Sequence, residues 1–249
     1  MITPTPPATG EPSLRELAAA GQLPDHQVMD RATLDWIAGH RPAGADVRAR
    51  LPHSVRLLVP NASWFARTET TDSIHGVRHG ARVALLVQFL APGLGLVPER
   101  VLALAAAAAC HDCRRRHDSA DPGHGRRAAR WLAGHLDAVT SAFGTAPSTE
   151  AIVAVALHDV PHHTFDQREE GQYRRHGLAV DLLKLADALD RYRLPLPRWW
   201  TDPGRLRLPV PDWAPALAHD LVVRSERARL DGACDARALE LALHAVRPE

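Results

Sequence analysis

From Ser73 onward, each apolar stretch of this chain repeats at helical spacing, and no pair of alternating runs is available to build a sheet. The segments "SIHGVRHGARVALLVQFLA", "PERVLALAAAAACHD", "DPGHGRRAARWLAGHLDAV", "STEAIVAVALHDV" and "GLAVDLLKLADALDRYRL" follow one another, then two more around "PDWAPALAHDLVVRSERARL" and "DARALELALHAV". Start signals accompany them: Pro98 at a first turn, Asp121 and Pro122 ahead of the third segment, Ser148 as a cap with Glu150 inside the first turn. The fifth segment ends before Pro195. The fold class expected is therefore an all-α bundle.

Before Ser73, Ser13 and Asp30 are candidate N-caps of two short helices, "SLRELAAAGQ" and "DRATLDWIAGH". "SVRLLV" reads as a strand only in isolation; without a partner it is assigned to helix or irregular chain. The organisation expected is a disordered leader over residues 1–12 and a helical lobe over 13–69. A main domain covers 70–195, with C-terminal helices over 196–249 packed on it.

Thirty basic and 29 acidic residues leave a formal charge of +1, so no net field draws the chain to nucleic acid or to an anionic membrane. The run "VLALAAAAAC" is far shorter than the about twenty residues of a membrane span. The opening "MITPTPPATGEP" lacks the basic flank and apolar core of a signal peptide. Three cysteines, Cys110, Cys113 and Cys234, do not make a disulfide framework, and the lone CxxC is assigned to packing. A cytoplasmic protein is expected.

Of fifteen histidines, ten lie between His75 and His176. His75 and His79, four apart, share one helix face; His111 and Asp112 end the alanine helix. Asp187 interrupts an apolar helix, where a carboxylate needs a cation beside it or an exposed ion pair such as Arg191. Together these offer nitrogen and oxygen ligands suited to a divalent ion rather than the thiolates of structural zinc. Each histidine alone is more simply a hydrogen-bonded core or surface residue; the combination and its order carry the signal.

The order "HGARVALL", "ACHD", "KLADALDR" resembles that of the HD-domain superfamily, over roughly residues 70 to 195. Within it the chain is most similar to small uncharacterised bacterial proteins with "HD..R..D....HG..AA" and "K.ADALDR" signatures, and no GYP motif marks the cyclic-dinucleotide branch. The resemblance implies that His79, His111, Asp112 and Asp187 bind one divalent ion (Mn, Fe, Co, Ni or Mg), with His75 the alternative to His79. It offers His124 and His158 as ligands of a second ion, or as hydrogen-bonding partners of substrate.

The function expected from the resemblance is a metal-dependent phosphohydrolase on a small phosphorylated substrate, with nucleotides the leading class. Asp112 and Lys184 are the catalytic candidates; Lys184, Arg115, Arg82 and His75 are candidate substrate contacts. The alternatives are a di-iron oxygenase on a small polyol or phosphonate, and a nucleotide-sensing module without turnover. Trp199 and Trp200 are read either as stacking surfaces or as core, and His117, His162 and His163 as exposed. A homodimer is left open.

Overall fold

The computed structural model describes residues 11–44 and 54–246, and among these there are helices and no strand. Residues 1–10 of the expected leader lie outside the described residues, as do 45–53 and 247–249. Two short helices, α1 (Leu14–Ala20) and α2 (Arg31–Ala38), precede the main bundle. Ser13 and Asp30 cap them as expected, Ser13 in a reciprocal box with Glu16.

The bundle comprises α3 (Val77–Leu90), α4 (Pro98–Ala109), α5 (His124–Gly134), α6 (Leu136–Phe143), α7 (Thr149–Leu157), α8 (Gln167–Leu189), α9 (Ala214–Leu230) and α10 (Asp235–Val246). Helix α3 is its axis, buried at each of its residues and packed against α4, α8, α9 and α10. The alanine run of α4, Ala103 to Ala109 with Leu104, is buried against it. Small side chains allow that closeness. A Cβ on Gly80 would lie 2.4 Å from the Ala109 carbonyl oxygen, so the α3–α4 crossing requires glycine there.

Several boundaries differ from the sequence reading. Helix α3 starts at Val77, because the Ser73 hydroxyl turns back to Thr70 O and across to Asp118. Helix α5 starts at His124, after Gly123 at φ 77°, rather than at Asp121 and Pro122. The segment expected to run through residue 139 breaks at His135 into α5 and α6. Helix α8 begins ten residues before the expected Gly177, capped by Asp166 with Glu169, and kinks at His176 (φ −130°, ψ 17°). Residues 54–61, which include all of "SVRLLV", are irregular. No helix among the described residues is long and apolar enough to cross a membrane.

An ion network runs through the core. Arg82, 1 % exposed, donates to both Asp190 oxygens (2.7 and 3.0 Å), to Ser225 Oγ (3.0 Å) and to Glu226 (2.6 Å). Arg78 donates to Glu226 (3.0 Å), Asp72 (2.5 Å) and Asp235 (2.7 Å). One network thus ties α3 to α9, to α10 and to the turn after α8. Burying such charges is costly, and removing one partner leaves the others uncompensated.

Glu226→Ala is therefore expected to destabilise the protein by about 3–5 kcal/mol in urea unfolding at neutral pH. Burial raises the Glu226 pKa, but Arg78 and Arg82 outweigh it and the net shift is downward. A lowered carboxylate contributes stability above its unfolded pKa, and that contribution is lost as pH falls through the folded value. The gap between wild type and variant should accordingly narrow in acid.

Candidate metal centre

Five structural elements deliver six side chains to one buried place. His79 comes from the first turn of α3, His111 and Asp112 from the turn ending α4, and His124 opens α5. His158 follows α7 and Asp187 lies near the end of α8. His79 Nε2 is 3.1 Å from His111 Nε2, 3.5 Å from Asp112 Oδ2 and 3.4 Å from Asp187 Oδ1. On the other side, His124 Nε2 is 3.0 Å from His158 Nε2, and these two lie 2.9 and 3.4 Å from Asp112 Oδ1.

The ring protons explain why this is more than a polar cluster. His111 Nδ1 donates to Ala108 O (2.7 Å), His124 Nδ1 to Asp121 O (2.8 Å) and His158 Nδ1 to Val155 O (2.7 Å). His79 Nδ1 donates to Asp190 Oδ2 at 2.8 Å. A carbonyl or carboxylate can only accept, so each Nδ1 carries its proton and each neutral ring turns a bare Nε2 lone pair inward. Two pairs of lone pairs then face each other at about hydrogen-bond distance around two carboxylates. Asp112 Oδ1 is itself buried with no hydrogen bond. Facing lone pairs repel unless a cation stands between them, and such Nδ1–H anchoring is how proteins hold metal-binding imidazoles.

The cluster can hold a metal ion. His79, His111 and Asp187 form one set of donor atoms within 4.8 Å of one another, and His111, Asp112 and His158 another. Both carboxyls stand well below the usual range despite burial: Asp112 chiefly through His111, His124 and Arg115, Asp187 through His111 and His79.

Without an ion, protons fill the same places. Burial and Arg193 oppose protonation of His79, but Asp112, Asp187 and Asp190 outweigh them and push it up to about 9. Burial likewise opposes protonation of His124, and Asp112 overrides it upward; burial lowers His111. In the first pair His79 is thus favoured to hold a proton that His111 accepts.

The packing that closes the site is local. His79 and His124 are each followed by glycine. A Cβ on Gly125 would meet the Asp159 carboxylate at 2.6 Å, Val155 O at 2.6 Å and His158 Nδ1 at 2.8 Å, as one on Gly80 would meet α4. Both glycines let a histidine-bearing helix settle against the helix that ends at its partner histidine.

The fold brings together His79, His111, Asp112, His124, His158 and Asp187; His75 stays outside. Its Nδ1 is 2.9 Å from Asp118 Oδ1, and its ring lies edge-on to His79 with centroids 5.8 Å apart. Asp118, its side chain wholly buried, also accepts from Ser73 Oγ (2.8 Å) and Gln27 N (2.7 Å). Arg115 turns inward, its Nη1 3.3 Å from the His124 ring nitrogens and 3.8 Å from Asp112.

Two expected substrate contacts need correcting. Arg82 is consumed by Asp190, Glu226 and Ser225, because an arginine in the core must neutralise core carboxylates. Lys184 donates to His158 O (2.9 Å) and Val160 O (2.6 Å), satisfying carbonyls that the end of α7 leaves unpaired. That pins the turn carrying His158. Burial brings Lys184 down to about 8.

Trp200 packs on Trp36 and Tyr192 and donates to Leu194 O, which makes it core; Trp199 lies under Arg198. His163 is exposed, whereas His117 and His162 are half-buried, His162 bound to Asp181 at 2.8 Å. Cys110 and Cys113 are free and buried, and Cys234 is exposed. Asp190, Asp118 and Asp159 were passed over in the sequence reading, although Asp190 stands one helical turn after Asp187 and Asp159 repeats the His-Asp step.

No family model matches this chain, and neither a curated protein nor a solved structure does.

Two outcomes follow from the geometry. Asp190→Asn, which weakens the partner of His79 Nδ1–H, should cost about 10–100-fold in metal affinity by chelator competition. Metal must displace the proton held by His79, so binding should release protons, seen as buffer-dependent heat in calorimetry. Because His79 is pushed up to about 9, affinity should rise with pH across the neutral range toward that value.

Proposed function

We propose that this chain is a metal-dependent phosphohydrolase of the HD type, acting on a small phosphate ester, with nucleotides the leading substrate class. One observation carries the reading: four imidazoles with their Nδ1 protons committed turn Nε2 toward two buried carboxylates. The His, His-Asp, Asp order in the sequence agrees with it.

Six donors support two ions. His79, His111 and Asp187 would hold one and His124 with His158 the other, Asp112 turning one oxygen toward each group. Divalent ions held by these residues would supply Lewis acidity toward a water and toward the phosphoryl oxygens. In the hydrolysis the water oxygen bonds to phosphorus, the ester P–O bond breaks, and the departing alkoxide takes up a proton.

The protein's own groups orient and neutralise. Asp187 is the most open of the six, its side chain 28 % exposed, and marks the side from which substrate reaches the centre. Arg115 sets a guanidinium nitrogen beside Asp112 and His124, where it balances phosphate charge. His75, fixed through Nδ1 by Asp118, keeps Nε2 for a hydrogen bond to the substrate or its water. Lys184 acts at one remove, by positioning His158.

The same six donors favour a second reading, a di-iron oxygenase on a small polyol or phosphonate. Metal content and turnover separate the two. Protein purified without chelators or oxygen should contain about two divalent ions per chain by element-resolved mass spectrometry, falling to about one in His124→Ala. Wild type should release phosphate from a panel of phosphomonoesters and nucleotides, and Asp112→Ala should not. No release from either protein overturns the phosphohydrolase reading, and two irons with substrate-dependent oxygen uptake establish the alternative.

A further inference from the structure

The loop that follows Asp112 has two faces. Arg115 points inward, donating to His117 O (3.3 Å) and Ser119 O (2.8 Å) with Nη1 at the His124 ring. Its neighbours Arg114 and Arg116 instead line an open surface cavity of about 300 Å³, together with Arg127, Arg130, Trp131 and Ala66. None of the six metal-site donors lines it.

Four guanidinium groups around one concavity are costly to assemble unless something neutralises them. Here the protein supplies little. Arg127 is paired, its Nη2 2.5 Å from Asp121. Arg114 donates to a neutral carbonyl, Trp64 O, at 3.0 Å. The side chains of Arg116 and Arg130 are exposed and make no ion pair or hydrogen bond among the described residues, and no carboxylate lines the cavity.

A chain of net charge +1 has thus gathered positive charge at one point and left much of it unbalanced. Rigid neighbours hold the cavity open. Arg127 Nε donates to Arg114 O (3.2 Å), the Ala66 amide to Cys113 O (2.8 Å), and the Trp131 ring is stacked on His135 at 4.7 Å and 16°. Planar guanidinium forks match phosphate oxygens, and the indole adds an apolar wall against which a ring can lie.

We propose that this cavity is a second ligand site, separate from the metal centre, that binds a small molecule bearing two or more phosphate charges. Arg116 and Arg130 clamp the phosphates, Arg114 adds charge from the loop, and Trp131 forms the wall. Pyrophosphate and nucleoside diphosphates share this chemistry, and only the latter use the wall.

The test is calorimetry on the metal-loaded, full-length protein with ADP and with inorganic pyrophosphate, comparing wild type with Arg116→Gln/Arg130→Gln. Both substituted residues are exposed, and circular dichroism and metal content should match wild type. The proposal expects a binding class in wild type that weakens about a hundredfold or more in the double variant, the size of losing two charge-assisted contacts. Arg116→Lys/Arg130→Lys should recover part of it.

Tighter binding of ADP than of pyrophosphate assigns the wall a ring, and equal binding assigns the site to phosphate alone. Superimposable isotherms for wild type and the Gln variant overturn the proposal, as does a wild type that binds neither probe. Binding of a single-stranded RNA oligonucleotide that depends on the two arginines, with neither small probe bound, also overturns it, in favour of a nucleic-acid surface. None of these readouts requires phosphate-ester hydrolysis, so the site stands or falls apart from the function proposed for the metal centre.

Discussion

The hydrogen bond from His79 Nδ1 to Asp190 is the interaction on which much of the rest depends. It fixes the tautomer that turns His79 Nε2 toward His111, Asp112 and Asp187. Arg82 binds both oxygens of Asp190, and that arginine together with His79 holds its carboxyl down to about 2 against the effect of burial. Arg82 in turn needs Glu226, and Glu226 needs Arg78. The chain of charges therefore runs from the His79 imidazole to the last two helices. A bundle that buries a cluster able to hold a cation carries its charge compensation from α3 to α9 and α10.

The two halves of the site are built alike. In each, a histidine followed by glycine sits at the start of a helix, and a second histidine ends another helix and donates Nδ1–H to the carbonyl three residues back. An aspartate follows that second histidine. Asp112 stands between the two imidazole pairs, one oxygen toward each, whereas Asp159 holds the Gly123 amide (2.9 Å) and stays behind His124. The same His-Asp step thus serves once within the donor set and once as a brace. Glycine at positions 80 and 125 permits both helix crossings, since any Cβ there would occupy the space of the facing backbone.

Most helices and their caps were legible because capping and periodicity are local. Ser13, Asp30, Pro98 and Ser148 mark real helix starts. The misplaced starts at Ser73 and Asp121 have a common reason: neither side chain caps the first-turn amides of the helix that follows, Ser73 being spent on Asp118 and Asp121 on the Arg127 side chain and the Arg116 amide. The six donor residues were nameable because histidines and carboxylates in apolar helices need an explanation. Arg82 and Lys184 were misjudged because a cation in the sequence does not reveal whether it meets a substrate or a buried acceptor.

By itself the sequence determined the all-helical class, most helix starts and the set of residues able to bind a metal, all of which follow from periodicity, capping chemistry and ligand type over short spans. Only the tertiary structure decided which cations are already neutralised and that His75 stands apart from the donors while His124 joins them. It also left the side chains of Arg116 and Arg130 without partners among the described residues. These outcomes depend on contacts between residues far apart in the chain, 157 positions for Arg78 and Asp235, and on the desolvation that burial imposes. Charge compensation is a property of the packed interior, where each buried ion must find its partner in space rather than along the chain.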